Sequence, residues 1–295
     1  MRKKLMLLIN PVAGRSGFRQ GFSDIIELFH SAGYAPTIYM TKAALDAEKL
    51  VRTYGSMYPI IVCIGGDGTL SEVISGLMSL ENPPALGYIP MGTTNDVANT
   101  LNIPKNPKKA AQRILSGTPQ PFDVGSFNKE NYFTYISAFG AFTGVSYETS
   151  QISKHTIGHL AYILEGMRNI TNLTFEHTIV EYDGGRIEDD LMFGAVTNST
   201  SIAGLFKFED NIVELGDGLF EVILIRNPKN LIDLNKLISD ILSKNYNSQN
   251  VMVLHSSKVS FHFNRPVAWT RDGENGGQHE AVTLINHHAA VNFIV

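Results

Sequence analysis

Two periodicities alternate through the first 122 residues, and that alternation leaves few folds open to the chain. Leu5–Ile9, Thr37–Thr41, Ile60–Ile64 and Ala85–Ile89 are short runs of apolar and β-branched residues, the pattern of buried strands. The stretches between them have helical length. In these, Phe22, Ile25, Ile26 and Phe29 recur at three- and four-residue steps, as do Leu70, Val73, Ile74 and Leu77, so each helix carries one apolar stripe. Strands joined through helices lie parallel, and such crossovers are right-handed. Residues 1–122 therefore predict an open, doubly wound α/β domain, in which ligands bind beyond the C-terminal ends of the strands.

From Asp123 onward the pattern changes. Tyr132–Ser137, Leu173–Tyr182, Leu191–Val196, Leu219–Ile225 and Val259–Phe263 read as strands with little helix between them, which predicts a second, β-rich, sandwich-like domain over 123–288. Ile157–Ile170 and Leu231–Leu242 are its helical exceptions, and Ala289–Val295 is a run able to pair with either domain and so to complete the first. Pro119–Gly125 is too short for a free linker and marks the boundary. A length of 295 residues agrees with two domains at roughly 150 residues each.

Charge and cysteine usage narrow the function classes. Lys and Arg total 24 against 28 Asp and Glu, a formal charge of −4, which argues against holding a nucleic-acid backbone. The one cysteine, Cys63, has no intrachain partner; its apolar neighbours make it a core residue, and a reducing compartment is expected. The start MRKKLMLLINPVAG imitates a secretion signal, but Leu5–Ile9 is too short for its apolar region. No run approaches the roughly 20 apolar residues of a membrane span, so any lipid is met at the membrane surface. The expected location is the cytoplasm, with transient peripheral membrane association.

Three loops carry the chemistry. Gly65-Gly66-Asp67-Gly68-Thr69 follows the third strand and precedes a helix beginning near Leu70. Its glycines permit positive φ and close backbone approach, so that successive N–H groups and the helix N-terminus form an anion site. Asp67 beside a phosphate is repulsive unless it meets a cation, a metal-bound water or a ribose hydroxyl, and magnesium resolves the conflict. The plain alternative is a tight strand-to-helix turn. Pro90–Asp96 leaves the next strand at the same edge, with Asn95 or Asp96 available to cap a helix over Val97–Leu101. Asn10-Pro11-Val12-Ala13-Gly14 ends the first strand, followed by Arg15 and Ser16. Other candidates are weaker: His155 and His159 lie four apart on a helix but lack the glutamate of a zinc-protease motif, His287 and His288 alternate faces of a strand, and Trp269 is a packing residue that helps shape a cleft. Neither the P-loop pattern nor GxGxxG occurs.

NPVAGRSG, GGDGTLSEVISGL and GYIPMGTTNDVANTL, in that order, together resemble the diacylglycerol kinase catalytic-domain family, particularly its bacterial soluble lipid kinases. GGDGT alone is shared with NAD kinases and phosphofructokinases, and GTTND favours the lipid-kinase branch. FDVG at Asp123, GDGLFEV at Asp217 and RDGE at Glu274 extend the likeness over nearly the whole chain. The resemblance implies a nucleotide domain joined to a β-sandwich-like domain, with ATP and a lipid hydroxyl meeting in the cleft. It assigns ATP contacts to Asn10, Pro11, Val12, Ala13, Gly14, Thr41, Gly65, Gly66, Asp67, Gly68, Thr69 and Thr93. Glu274 takes the place of the general base, assisted electrostatically by Asp67, Asp96 and Asp123 through metal-bound water. Asp217 takes a magnesium-binding place, with backbone oxygens from Glu214 and Leu219. Departures from the family pattern are Gly216 before Asp217, Ser71 after the glycine loop, and AGLFKFEDN before the metal segment.

Read without that resemblance, RDGE is a polar hairpin turn and Asp217 lies in a DG turn. The expected reaction is transfer of the γ-phosphate of ATP to a lipid hydroxyl, with diacylglycerol the leading acceptor and sphingoid bases, phosphatidylglycerol, monoacylglycerols and polyprenols exposing comparable groups. The rival readings are an NAD kinase-like or other small-molecule kinase, and a nucleotide- or lipid-binding regulator without turnover. A homodimer is compatible with the sequence.

Overall fold

A computed structural model describes residues 2–13, 18–129, 131–141, 174–199, 201–202, 206–207 and 215–295. The chain forms two compact units, one of residues 1–124 with 288–295 and the other of residues 125–287.

The first unit runs β1 (Lys3–Ile9), α1 (Phe18–Ser31), β2 (Tyr34–Met40), α2 (Asp46–Tyr54), β3 (Ile60–Gly65), α3 (Asp67–Leu77), β4 (Ala85–Pro90), α4 (Asp96–Thr100) and α5 (Pro107–Ser116). Its strands are parallel in the order β4-β3-β1-β2. Leu5–Ile9 and Ile61–Ile64 are buried without interruption, as befits strands covered on both faces. Ile25 and Phe29 of α1 and Leu70, Val73, Ile74 and Leu77 of α3 are buried as their spacing predicts, each side chain contributing about 1.5–3 kcal/mol through the apolar surface it removes from water. Strand order reverses between β1 and β3, so the crevice that such a sheet offers a ligand opens at the C-terminal ends of these two strands.

β5 (Pro119–Phe127) carries the chain out of the first unit. The second unit continues with β6 (Asn131–Phe133), β7 (Ile136–Gly140), β8 (Glu176–Tyr182), β9 (Gly185–Thr197), the short pair β10 (Ser201–Ile202) and β11 (Phe206–Lys207), β12 (Phe220–Arg226), α6 (Leu231–Leu242), β13 (Val251–Ser256), β14 (Lys258–Arg271) and β15 (Glu274–Ile294). Its pairings are antiparallel. β9 and β14 are long enough to serve different partners at their two ends: β8 pairs with the first half of each, and β7 with the second half of each. Between the halves of β14 the register breaks from His262 to Val267, where Pro266 has no N–H to give a ladder. Phe139, Phe261, Trp269, Val259 and Leu224 fill the core between these strands. A second apolar cluster places Leu234, Leu237 and Ile241 of α6 with Ile223, Ile225 and Val251. β15 then re-enters the first unit, where Phe293 pairs in parallel with Leu86 of β4.

Several sequence expectations need correction. Tyr132–Ser137 is not one strand: β6 stops at Phe133 because the N–H groups of Thr134, Tyr135 and Ile136 turn to the carboxylate of Asp272, at 2.7, 3.0 and 3.2 Å. The helix following the glycine loop starts at Asp67 and not near Leu70. The expected helix Ile157–Ile170, with His155 and His159, lies outside the described residues.

Leu45, which precedes α2, sits at φ 65° and ψ 4° without a side-chain cap. A branched side chain in this left-handed region costs about 1–2 kcal/mol, and Leu45 is exposed enough to lose little packing on truncation. Leu45→Gly is expected to raise stability by about 0.5–1 kcal/mol, read as a higher urea midpoint at unchanged slope.

Candidate functional site

The crevice at the ends of β1 and β3 holds a cavity of about 440 Å³ lined by Asn10, Val12, Ala13, Thr41, Lys42, Ala43, Ala44, Gly66, Gly68, Thr69 and Glu72. Its wall is fixed by short contacts. Asn10 Nδ2 donates to Thr69 Oγ1 at 2.9 Å, and Asn10 Oδ1 accepts from Val12 N at 3.0 Å. The Thr41 N–H bonds Ile9 O at 2.9 Å, which places residue 41 beside Asn10. The N–H groups of Gly68 and Thr69 belong to the first turn of α3, where no helical carbonyl is available to them, and the helix dipole adds partial positive charge at that end. Among the described lining residues, Lys42 is the one cation. The cleft thus brings together N–H groups at a helix start, a lysine and hydroxyls, a combination suited to an anion.

Glu72 has no role in the sequence reading, yet it shapes this cavity. Its Oε1 accepts from Leu45 N at 2.9 Å and its Oε2 from Ala47 N at 3.1 Å, so it caps α2 from another helix. Asp46 holds the Lys42–Ala43 part of the wall from behind, accepting from their N–H groups at 2.8 and 3.1 Å. The signal was present in GGDGTLSE, where Glu72 follows the loop by one turn, but its partners lie 25 and 27 residues away.

Asp67 is not part of the cavity wall. Its carboxylate faces the N–H groups of Asp96, Val97 and Asn95 at the start of α4. Burial pushes its pKa above the ordinary 3.8 against the pull of those donors, and Oδ1 is buried with no hydrogen-bond partner. Asn95 does not cap α4 as expected. It stands at φ 52°, and its side chain closes its own loop: Oδ1 accepts from Gly92 N at 2.9 Å and Tyr88 Oη at 3.2 Å, while Nδ2 donates to Gly92 O at 2.8 Å. Capping of α4 thus falls to Asp67. Thr93 is exposed on this loop and does not line the cavity.

The glycines of the first loop also act differently from the expectation. None of Gly65, Gly66 and Gly68 has positive φ. What Gly66 provides is room: a Cβ on it would stand 3.1 Å from Gly92 Cα, and a Cβ on Gly92 would stand 2.7 Å from Gly66 Cα. The loops after β3 and β4 touch backbone to backbone.

Asp123 is fully buried, and its Oδ1 accepts from Ala289 N at 2.7 Å, which fastens the returning end of β15. Cys63 is buried in β3, and burial pushes its thiol up, out of reach of reactive chemistry. Gly14, and Arg15 and Ser16 after it, lie outside the described residues, as does Glu214.

In the second unit Glu274 opens β15 opposite Arg271, across the two-residue turn Asp272-Gly273. Positive φ at both, 46° and 79°, makes this a type I′ hairpin. Glu274 is exposed at its tip. Asp272 is the residue that sequence reasoning passed over: besides accepting the three N–H groups of residues 134–136, it donates its own N–H to Ile136 O at 2.8 Å. The turn is therefore riveted to the β6–β7 connection, and Glu274 projects from a rigid mount. Trp269, two residues before Arg271, is buried among Phe127, Phe139, Phe261 and Phe263 and acts in packing.

Asp217 is exposed, and its Oδ1 accepts from Leu219 N at 2.9 Å in a local turn. Among the described residues no three His, Cys, Asp or Glu side chains cluster to hold a metal ion. Magnesium is commonly held by one or two carboxylates together with water and substrate phosphates; of the predicted set, Asp217 and Leu219 are described and share one turn.

The diacylglycerol kinase catalytic domain profile matches residues 4–127. A diacylglycerol kinase of Bacillus subtilis (strain 168) is 32% identical over 290 residues, spanning 97% of this chain and 95% of its own length. A diacylglycerol kinase of Staphylococcus carnosus (strain TM300) is 31% identical over 281 residues, 94% and 90% of the two chains. The crystal structure of a diacylglycerol kinase from Bacillus anthracis str. Sterne shares the fold with a TM-score of 0.77 at 22% identity, covering 99% of this chain and 96% of that one. A second crystal structure from that organism reaches 0.81 at 25% identity over 99% and 95%.

The contact between the two loops generates a test. Gly92→Ala forces the loops apart and is expected to cost about 1–3 kcal/mol and to weaken binding of a nucleoside triphosphate, checked by urea unfolding and by titration calorimetry.

Proposed function

The chain belongs to the diacylglycerol kinase catalytic-domain family, and from that premise we propose that it transfers the γ-phosphate of ATP to the free hydroxyl of diacylglycerol, giving phosphatidic acid. The observation that carries this reading is the similarity to named diacylglycerol kinases across nearly the full length, joined to a phosphate-suited cavity on the loops that begin the likeness. ATP enters with its magnesium ion as substrate. The N–H groups of Gly68 and Thr69 and the ammonium of Lys42 receive its phosphate oxygens, while Asn10 and Thr69 fix the loop that they line.

Phosphoryl transfer asks the protein to align donor and acceptor, to neutralise charge and to take up the hydroxyl proton. Glu274 is the proton acceptor in this reading. Its support is its place after Asp272 and Gly273 on a hairpin that Asp272 holds still, since a general base acts through geometry first. Asp67 and Asn95 keep the glycine loop and its neighbour in register, and Asp123 anchors residues 288–295; these are positioning tasks. In this reading the acceptor's acyl chains are drawn from a bilayer surface, and no described helix is long and apolar enough to cross a membrane.

The deciding assay is transfer of labelled γ-phosphate from ATP to diacylglycerol in detergent, with NAD and other lipid alcohols in parallel. Label on diacylglycerol supports the reading. Label on NAD alone replaces it with a small-molecule kinase, and ATP binding without transfer to any acceptor replaces it with a regulator. Glu274→Gln is expected to lower kcat by two to four orders of magnitude, on the order of general-base effects, at unchanged ATP affinity; an unchanged kcat removes this residue as base. Lys42→Ala is expected to raise KM for ATP roughly tenfold, the loss of one charge-assisted contact, with kcat changed less; steady-state kinetics over an ATP series decides it.

A further inference from the structure

Helix α6 has two unlike sides. Leu234, Leu237 and Ile241 are packed in the core of the second unit. At about 100° per residue, Leu231, Ile232, Asn235, Lys236, Ser239 and Leu242 fall on the opposite arc, and all six are exposed. Ile232 is 79% exposed, Leu231 58% and Leu242 59%. Of the large apolar side chains exposed in the second unit, among the described residues, only Phe175 lies elsewhere.

The exposed charged residues between 229 and 244 are all lysines. Lys229 and Lys244 flank the helix at its two ends, and Lys236 lies on the arc itself. The two carboxylates of the helix border the arc beside Lys236 without being exposed: Asp240 is buried, and Asp233 is half-buried, its Oδ2 accepting from Lys229 N at 3.3 Å and Asn230 Nδ2 at 3.0 Å. In a chain of net charge −4, three lysines framing three exposed apolar side chains form a local exception. The exposed apolar area is on the order of a few hundred Å², well below the roughly 800 Å² per partner of a stable protein interface. A helix lying in a bilayer interface asks for this combination instead, an apolar face with flanking cations, and anionic headgroups supply the opposite charge.

We propose that the outer face of α6 is the surface by which this protein docks on an anionic bilayer, with Leu231, Ile232 and Leu242 entering the headgroup–acyl boundary and Lys229, Lys236 and Lys244 meeting lipid phosphates. The proposal rests on the reading that the acceptor is a membrane lipid, and it names the place where the protein meets that membrane.

The test is sedimentation of the full chain with vesicles of phosphatidylglycerol and phosphatidylcholine in equal parts, and with phosphatidylcholine alone. The wild type is expected to partition onto the anionic vesicles at least tenfold more strongly, with binding that falls as salt screens the lysines. Leu231→Ser with Ile232→Ser, and separately Lys236→Glu, are expected to lower that partition about tenfold. Transfer to short-chain diacylglycerol in detergent and the thermal midpoint should stay at wild-type values, and Met57→Ser, at an exposed position of the first unit, should bind as wild type. Wild-type binding by the α6 variants overturns the proposal, as does a wild type that ignores anionic vesicles. A change in oligomeric state with vesicle binding intact overturns it too and assigns the face to a second copy. Absence of transfer to diacylglycerol by the wild type, with the vesicle defect of the variants intact, removes the proposed acceptor and leaves the docking surface supported.

Discussion

The first unit is organised around one close approach, that of the backbone at Gly66 to the backbone at Gly92. Because these residues carry no side chain, the loops leaving β3 and β4 abut, and the N–H of Met91 reaches Gly65 O at 2.7 Å. Several polar groups of the loops then bond across and within them. Asp67 turns to the start of α4, Asn95 closes on Gly92, and the N–H donors at the start of α3 are left facing the cavity with Asn10 and Thr69 tied beside them. One buried oxygen, Asp67 Oδ1, keeps no partner in this arrangement.

Much of this was legible in residue order. The unbroken runs of β1 and β3 predicted strands covered on both faces, and their place before glycine- and asparagine-rich loops located the crevice. Helix α6 keeps the range expected of it, Leu231–Leu242, and the structure shows Asn230 capping it by accepting from the N–H groups of Ile232 and Asp233. The failures share a cause. Of the positive φ and close backbone approach expected of the glycine loop, Gly66 shows the second, and its neighbour there, Gly92, 26 positions on, is invisible to local reasoning. The N–H groups that engage Asp67 belong to another loop and are likewise out of local view.

Two carboxylates were overlooked for the same reason. Glu72 reads as one polar residue of an amphipathic helix, and Asp272 as half of a turn, until their partners at separations of 25 to 27 and 136 to 138 residues come into view. Both are acceptors for backbone N–H groups that secondary structure leaves unmatched, which is the economy expected when a buried donor must be satisfied. Both also stand next to residues with proposed chemical tasks, the cavity wall for Glu72 and Glu274 for Asp272. Precision at such positions is set by neighbours that touch no substrate.

The return of β15 beside β4 bears on how the polypeptide is made. Thr118 and Val295 exchange two backbone hydrogen bonds, at 3.1 and 3.2 Å, and Phe293 aligns with Leu86, so one margin of the nucleotide sheet is closed by residues translated after the entire second unit. During synthesis that margin waits as an open β edge, the kind of surface that recruits other chains. Delay on the ribosome between residue 124 and residue 288 is therefore the interval in which this protein is most exposed to aggregation, and a holdase chaperone engaging nascent β4 would meet its greatest demand there.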